Sequence, residues 1–401
     1  MRSIVIHGHF YQPPRDDPRT GVIPAEASAA PFHDWNERIE QECYAKVAPS
    51  LARMSFDFGA TLLEWMERHA PKTYAAVLAA DRAGNAMAMP YHHVILPLAS
   101  RRDKETEVRW GIDDFTQRFG RQPEGMWLPE TAVDDETLDV LAAAGMQFTV
   151  LAPHQTEGGR SGWYRTSGGR RIALFAYDGG PSHGVAFGPL VNDAAAWVER
   201  MTAPPPRDLV SIATDGETYG HHHKGGDVTL ARVLETLAAR SDVRVESYAA
   251  FLARQPFKDA VRLIAPSSWS CPHGVERWRA ECGCRAAPER PSQQRWRGPL
   301  RAALEWLAGE LRARYERNGT PMPRELEHQV LRMFTSCGWF FDDIAGIESV
   351  IVLRSAAQAI ELAGADAPRL EAGLLERLAQ APSNDPAVGT GRELYLSRVK
   401  R

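Results

Sequence analysis

The 401-residue chain is short of several things, and each shortage removes a class of function. Cysteine is scarce: five residues, an odd number and too few for a disulfide scaffold. No apolar run reaches the roughly 20 residues that a bilayer-spanning helix needs. The N-terminus, MRSIVIHGHF, lacks the basic region, apolar stretch and small-residue cleavage site of a secretory leader, so a cytoplasmic protein is expected. Neither charge sign dominates. The net charge is −4, which argues against a general nucleic-acid or anionic-membrane binder, and neither partner is expected. There is no internal repeat and no low-complexity tract, and nothing specifies an oligomeric state. What the chain has in quantity is tryptophan, with eleven, and histidine, with thirteen, more than a core alone would use.

SIVIHGHFYQPP (3–14) is a β-branched run that ends abruptly in polar and proline residues, the pattern of a buried parallel strand with function at its C-terminal end. Helical periodicity follows over 37–55 and 59–80, then a polar segment and the apolar VILPLA (94–99). ETEVRWGIDDFTQRFG (105–120) reads as an amphipathic helix. VDDETLDVLAAAGMQFTVLAP (133–153) reads as an Asp-capped helix leading into a strand. RRIALFAYD (170–178) and DLVSIATDG (208–216) are strands that run from apolar to acidic. Such alternation predicts a parallel α/β barrel or layered sheet over 1–265. A Trp/Cys-rich stretch without a period, 266–297, follows, and its APERPSQQRWRGP portion (287–299) is expected to be a flexible linker. Residues 298–401 read as a helical domain built from segments 299–319, 323–344, 348–365 and 368–382.

In a parallel α/β barrel the working residues sit where strands end. Four ends are loaded. His7 and His9, two apart in a strand, share a face. Glu130 follows a proline in GMWLPET; Asp178 and His183 follow the 170–178 strand; Asp215, Glu217 and His221 to His223 follow the 208–216 strand. Two carboxylates facing each other at about 5–5.5 Å hydrolyse or transfer a sugar with retention, one as nucleophile and one as acid. The acid must stay protonated near neutral pH, which burial or a like charge such as Glu217 provides. Trp35, Trp127, Tyr219 and Trp269 are candidate platforms for the apolar faces of a sugar. Tyr11, Gln12 and HDWNER (33–38) read either as a barrel-mouth loop over the sugar or as a packed helix start.

Read in order, HGHFYQPP (7–14), YHHVILPL (91–98), GMWLPET (125–131) and ATDGETYGHH (213–222) resemble the first four sequence motifs of glycoside hydrolase family 57. The likeness is to a poorly characterised branch of that family. MFTSCGWFFDDI (333–344) resembles the segment that the family's helical domain contributes to the active site, with Cys337-Gly338-Trp339 where Ser-Asp-Trp is usual. The resemblance implies an incomplete (β/α)7 barrel followed by a helical domain. It implies a retaining enzyme active on α-1,4-linked glucans or malto-oligosaccharides: an amylase, 4-α-glucanotransferase or branching enzyme. By the same resemblance Glu130 is the nucleophile and Asp215 the general acid/base. His7, His9, His93, Trp127 and His221 then line the sugar site, with Trp339 and Asp342 from the later segment, and no cofactor is required for catalysis.

Two other readings use the same residues. A metal-dependent carbohydrate hydrolase or deacetylase on a related barrel would draw zinc ligands from His7, His9, Asp215 and the histidine triplet. A non-catalytic sugar-binding protein would keep the scaffold alone. Adjacent histidines alternate faces in extended chain, so the triplet is ill suited to one ion. Separately, Cys271, His273, Cys282 and Cys284 form a C-x-H…C-x-C pattern that suits a structural tetrahedral zinc site; three buried thiols or one disulfide are the alternatives.

Overall fold

The computed structural model describes residues 1–203 and 207–400. Two compact units result, one from residues 1–12, 25–91 and 104–269, the other from 13–24, 92–103 and 270–401. Residue 401, the end of the helical domain expected over 298–401, lies outside the described residues.

The first unit is built on β1 (Arg2–Phe10), β2 (Ser55–Phe58), β3 (Ala86–Met87), β4 (Phe148–Leu151), β5 (Gly162–Arg165), β6 (Arg171–Ala176), β7 (Leu209–Asp215) and β8 (Val243–Val245). From Ser3 to Phe10 every residue of β1 is buried, which is why it reads as a nearly continuous apolar run. It pairs in parallel with β2 on one side and with β7 on the other, in a register that sets His7 beside Ser55 and His9 beside Asp57 and Asp215. β2 pairs with β3, and single parallel bridges Ala88–Met126 and Gly125–Phe148 insert residues 125–126 as a minimal strand before β4. β4 pairs in parallel with β6. Between β6 and β7 the contact narrows to the Asp178 amide on Ser211 O at 2.7 Å and the Ser211 amide on Asp178 Oδ2 at 2.9 Å. The result is an incomplete (β/α)7 barrel, with β5 antiparallel on β6 and β8 beside the start of β1.

The helices of this unit depart from periodicity at prolines. The 59–80 pattern becomes Ala60–His69 and Pro71–Ala80, with Pro71 opening the second helix, where its missing N–H costs nothing. The 37–55 pattern breaks into a short helix Trp35–Ile39, a π turn and a 3-10 stretch containing Pro49. The amphipathic segment is realised as helix Arg101–Phe119.

The second unit is helical, with Arg297–Arg317, Arg324–Arg332, Cys337–Phe340, Ile347–Leu362, Ala367–Leu378 and Gly391–Arg398. Leu300, Leu304, Leu307 and Leu311 recur at helical spacing and are fully buried, as are Leu374 and Leu378 of the helix they pack against. The single helix expected over 323–344 is interrupted because Thr335 bridges Val94 and the Ser336 amide donates to His93 O at 2.9 Å. A partner far away in sequence takes the amide that would have continued the helix. The expected linker 287–299 is anchored: Trp296 and Arg297 are fully buried, Gln294 nearly so, and helix Arg297–Arg317 begins inside it. No helix among the described residues is long and apolar enough to cross a membrane.

Candidate active site

At the C-terminal end of β1, the two histidines share one carboxylate. His7 Nε2 lies 3.0 Å from Asp57 Oδ1, and His9 Nδ1 lies 2.8 Å from Asp57 Oδ2. Ser55 Oγ holds the other ring nitrogen of His7 at 3.0 Å, which fixes that ring on both sides. Trp127 stacks on both imidazoles, at 4.7 Å from His7 and 5.2 Å from His9, each near 19°. Trp269 meets Trp127 edge-on at 5.2 Å and directs its indole Nε1–H to Glu130 Oε2 at 3.0 Å.

Glu130 sits on a left-handed turn, with φ 57° and ψ 19°, and Thr131 follows at φ 49°. Two consecutive non-glycine residues in this region are strained, the second β-branched, and need support from elsewhere. Gln155, fully buried, supplies it. Its Oε1 accepts from Thr131 Oγ1 and from the Ala152 amide, both at 2.8 Å, while its Nε2 donates to Thr131 O at 2.8 Å and Ser267 Oγ at 3.1 Å. The Trp269 amide donates to Glu130 O and the Val133 amide to Ser267 O, so residues 130–133 are stitched to 267–269.

Asp215 ends β7, beside His9 in register. The next residue must be glycine: a Cβ on Gly216 would lie 2.2 Å from the Phe10 ring. Asp215 stays open to solvent on one side while protein encloses the rest. That enclosure is the main reason its carboxyl is pushed up to about 7; His9 opposes the rise, and Glu217, Glu130 and Asp57 add to it. Water on the open side screens part of this shift. Glu217 is 6% exposed, accepts the Tyr44 hydroxyl proton in a short hydrogen bond, and is raised chiefly by burial. Burial works against a charge on His9, but Asp57, Asp215 and Glu217 outweigh it and lift His9 to about 9. Burial lowers His7, whereas Asp57 is held below its ordinary value by its histidines, against its own burial. The site therefore carries one imidazolium, on His9, among four carboxyl groups, and Asp215, pushed up to about 7, keeps a share of its proton at neutral pH.

The structure gathers His7, His9, Trp127, Glu130, Asp215, Glu217 and Trp269 in the first unit. Trp127 is fully buried and serves as a floor beneath the histidines; it offers no open face to a sugar. Tyr219 is also fully buried, stacked on Trp197 at 6.1 Å and receiving the Thr214 hydroxyl, so it is a packing residue and not a platform. The Gln12 side chain bonds the Tyr44 hydroxyl, and its backbone carbonyl accepts from the Thr61 hydroxyl. HDWNER is a helix start: Asp34 caps it by accepting the Asn36 and Glu37 amides. Trp35 meets His221 edge-on at 5.8 Å, and His221 Nδ1 pairs with Glu42 at 2.5 Å.

Asp178 is occupied by Arg207 and the Ser211 amide, and His183 lies exposed on helix Gly179–Ala186. His93, Trp339 and Asp342 belong to the second unit. His93 Nδ1 lies 2.7 Å from Ser336 Oγ, Trp339 is fully buried, and Asp342 accepts the Ala286 and Ala287 amides at 2.8 Å each. The histidine triplet does not converge: His223 goes to Ala186 O. Among the described residues, metal-holding geometry occurs at Cys271, His273, Cys282 and Cys284 and not around His7, His9 and Asp215. A cleft of about 760 Å³ between residues 40–52 and 69–82 touches none of the site carboxyls.

Asp57, Ser55, Tyr44 and Gln155 were not anticipated. Asp57 lies in SFDF, four residues whose acidic member is the only local signal; Tyr44 and Gln155 carry no signal apart from the fold.

Curated proteins that resemble the chain do so at low identity, two of them as follows. The 4-alpha-glucanotransferase of Thermococcus litoralis is 21% identical over 242 residues, 55% of this chain and 36% of that protein. An alpha-amylase of Pyrococcus horikoshii is 21% identical over 198 residues, 47% of this chain and 30% of that protein. The chain thus spans about a third of the length of the curated relatives it matches. The fold is shared with an exo-type maltose-forming amylase of Pyrococcus sp. ST04, with a TM-score of 0.73 at 16% identity, covering 94% of this chain and 83% of that one. Residues 322–401 match a family described as a domain of unknown function, DUF3536. Residues 28–259, more than half the chain and the barrel from β2 to β8, match the model of glycosyl hydrolase family 57, and the protein is a member of that family.

Proposed function

We propose that the protein is a retaining α-glucan-active enzyme, a hydrolase or glucanotransferase acting on α-1,4-linked glucans or malto-oligosaccharides, with Glu130 as nucleophile and Asp215 as general acid/base. A Glu130 oxygen attacks the anomeric carbon and bonds to it as the glycosidic C–O bond breaks. The bonding pair leaves with the departing oxygen, which takes the proton held by Asp215. In the second step the Asp215 carboxylate removes a proton from water or from an acceptor hydroxyl. That oxygen bonds to the anomeric carbon and releases Glu130. Neither step needs a metal.

The observation that carries this reading is the unlike setting of two carboxyls within electrostatic reach of each other. Glu130 is anchored by an indole N–H, whereas Asp215 is pushed up to about 7, where it donates and accepts a proton near neutral pH. Membership of family 57, and relatives named as a glucanotransferase and amylases, support the substrate class. His9, fixed by Asp57 through Nδ1, serves as a rigid donor to a sugar hydroxyl, while His7, buried with both ring nitrogens held by Asp57 and Ser55, positions that carboxylate.

The test is incubation with maltoheptaose and chromatography of the products, wild type beside Glu130→Gln. Shortened or redistributed chains are expected from the wild type. The variant should lose turnover by about 10⁴-fold. Equal turnover in both would remove Glu130 as nucleophile; no product from either would remove the α-glucan substrate.

A further inference from the structure

The strongest feature outside the candidate active site is the group Cys271, His273, Cys282 and Cys284, whose ligand atoms all lie within 4.8 Å of one another. Cys284 Sγ is 3.6 Å from Cys271 Sγ and 3.5 Å from His273 Nδ1, and Cys271 Sγ is 4.0 Å from Cys282 Sγ. A tetrahedron with zinc–sulfur bonds of about 2.3 Å and a zinc–nitrogen bond of about 2.0 Å has ligand edges of about 3.8 Å for S–S and about 3.5 Å for S–N. The three spacings above lie within about 0.3 Å of these edges, and no pair of ligand atoms is more than 4.8 Å apart. They are far from a disulfide's roughly 2.05 Å, and three thiols cannot all pair with one another.

The segment is arranged for convergence. In the C-x-C pair the middle residue is Gly283 at φ 81°, a conformation that turns two sulfurs only two residues apart toward one point. Cys271 is buried, Cys282 and Cys284 are half-buried, and His273 faces solvent, so one side remains open for an ion to enter.

Charge points the same way. Arg297 is fully buried, yet its guanidinium donates to the carbonyls of Cys284, Phe340 and Phe341 and to Gln294 Oε1, all uncharged acceptors. Its Nη1 also lies 3.9 Å from Cys282 Sγ. A buried cation needs a nearby negative charge. Three thiolates and a neutral imidazole on Zn²⁺ sum to −1, which adds to the Asp342 carboxylate already within electrostatic reach of Arg297.

We propose that Cys271, His273, Cys282 and Cys284 bind one Zn²⁺ as a closed, four-protein-ligand structural site that holds the irregular segment 271–284. The site takes no part in turnover. Soft thiolate donors in tetrahedral array select zinc over magnesium or calcium.

The test uses the full chain, purified without metal-chelating resin. Elemental analysis should give about one zinc per chain. Metal-free protein titrated with Co²⁺ should develop the visible bands of tetrahedral thiolate coordination, with saturation near one equivalent. Cys282→Ser/Cys284→Ser should lose both signals. His273→Ala, at an exposed position that leaves the core intact, should keep the fold and bind Co²⁺ at least about tenfold more weakly. A folded wild type with no zinc and no thiolate–cobalt bands would overturn the proposal, as would a disulfide among these cysteines by mass spectrometry. Zinc content is read without substrate, so its result is independent of whether the chain acts on glucans.

Discussion

Asp215 is where the chemistry and the stability of this protein meet. Its carboxyl is pushed from an ordinary 3.8 to about 7, first by the protein that encloses all but one side of it and then by neighbouring carboxylates. As the proton donor, it must be protonated before the glycosidic bond breaks, so kcat/KM on maltoheptaose should fall about tenfold per pH unit above pH 7. Asp215→Asn should abolish that limb along with turnover on glucans, while activated donors that need no protonation still react in the first step. A basic limb that survives in Asp215→Asn would assign it to another group. The same shift has a structural consequence whose sign is definite. A carboxyl with a raised folded pKa favours the folded state below about pH 3.8 and loses that contribution as pH rises through 7. Asp215→Asn should therefore melt about 1–3 °C above the wild type at pH 8 and level with it near pH 4, a modest gap because one side of the carboxyl meets water. His9 behaves in the same sense over a higher window, its contribution present below 6.5 and lost through 9.

At the scale of elements, β1, β4, β6 and β7 were legible because burial on both faces leaves an apolar run, and polar residues crowd where it ends; the short β2, β3, β5 and β8 were not. The ends of β1 and β7 could be located in this way, as could the stretch before Glu130. What the Glu130 turn looks like could not be read. WLPET predicts a strand end, but two left-handed residues in succession depend on Gln155, twenty-four positions away from Thr131. Asp57 escaped for a related reason: a lone acid in a four-residue strand gains meaning only when β2 sets it against two histidines. The break near Phe334 is likewise set by pairing with residues 92–94. Gln155→Ala tests the turn. It strips partners from Thr131 and Ser267, at a cost of about 2–4 kcal/mol in stability. Because Glu130 then loses its angle of attack, kcat should fall about 10²-fold while KM changes little. Loss of stability with kcat intact would make Gln155 a packing residue only.

At the scale of the whole molecule, helical periodicity marks out 298–401 but does not reveal what completes its core. The second unit also uses residues 13–24, 92–103 and 270–297. The joins are specific. Arg332, 6% exposed, donates to the carboxylate and carbonyl of Asp16; Arg312 pairs with Asp103 at 2.8 Å; Arg301 donates to Leu98 O at 2.9 Å; Thr335 Oγ1 donates to His92 O at 3.0 Å. Removing the two early segments strips these partners from the buried Arg332 guanidinium and Thr335 hydroxyl, each loss costing about 1–3 kcal/mol or more, against a net stability of about 5–15 kcal/mol for a domain. Residues 270–401 expressed alone should therefore keep much of their helical circular dichroism, which comes from local bonds. They should lose a cooperative thermal transition and dispersed amide resonances, because the packing that makes the helices one unit is gone. A fragment that melts sharply with native-like dispersion would mean that the helices alone form the core, with residues 13–24 and 92–103 lying on its surface. Adding Zn²⁺ to the fragment separates the two contributions, since the four ligands all lie within it while the early segments do not. Recovery of order around 271–284 without a sharp global transition is the expected outcome.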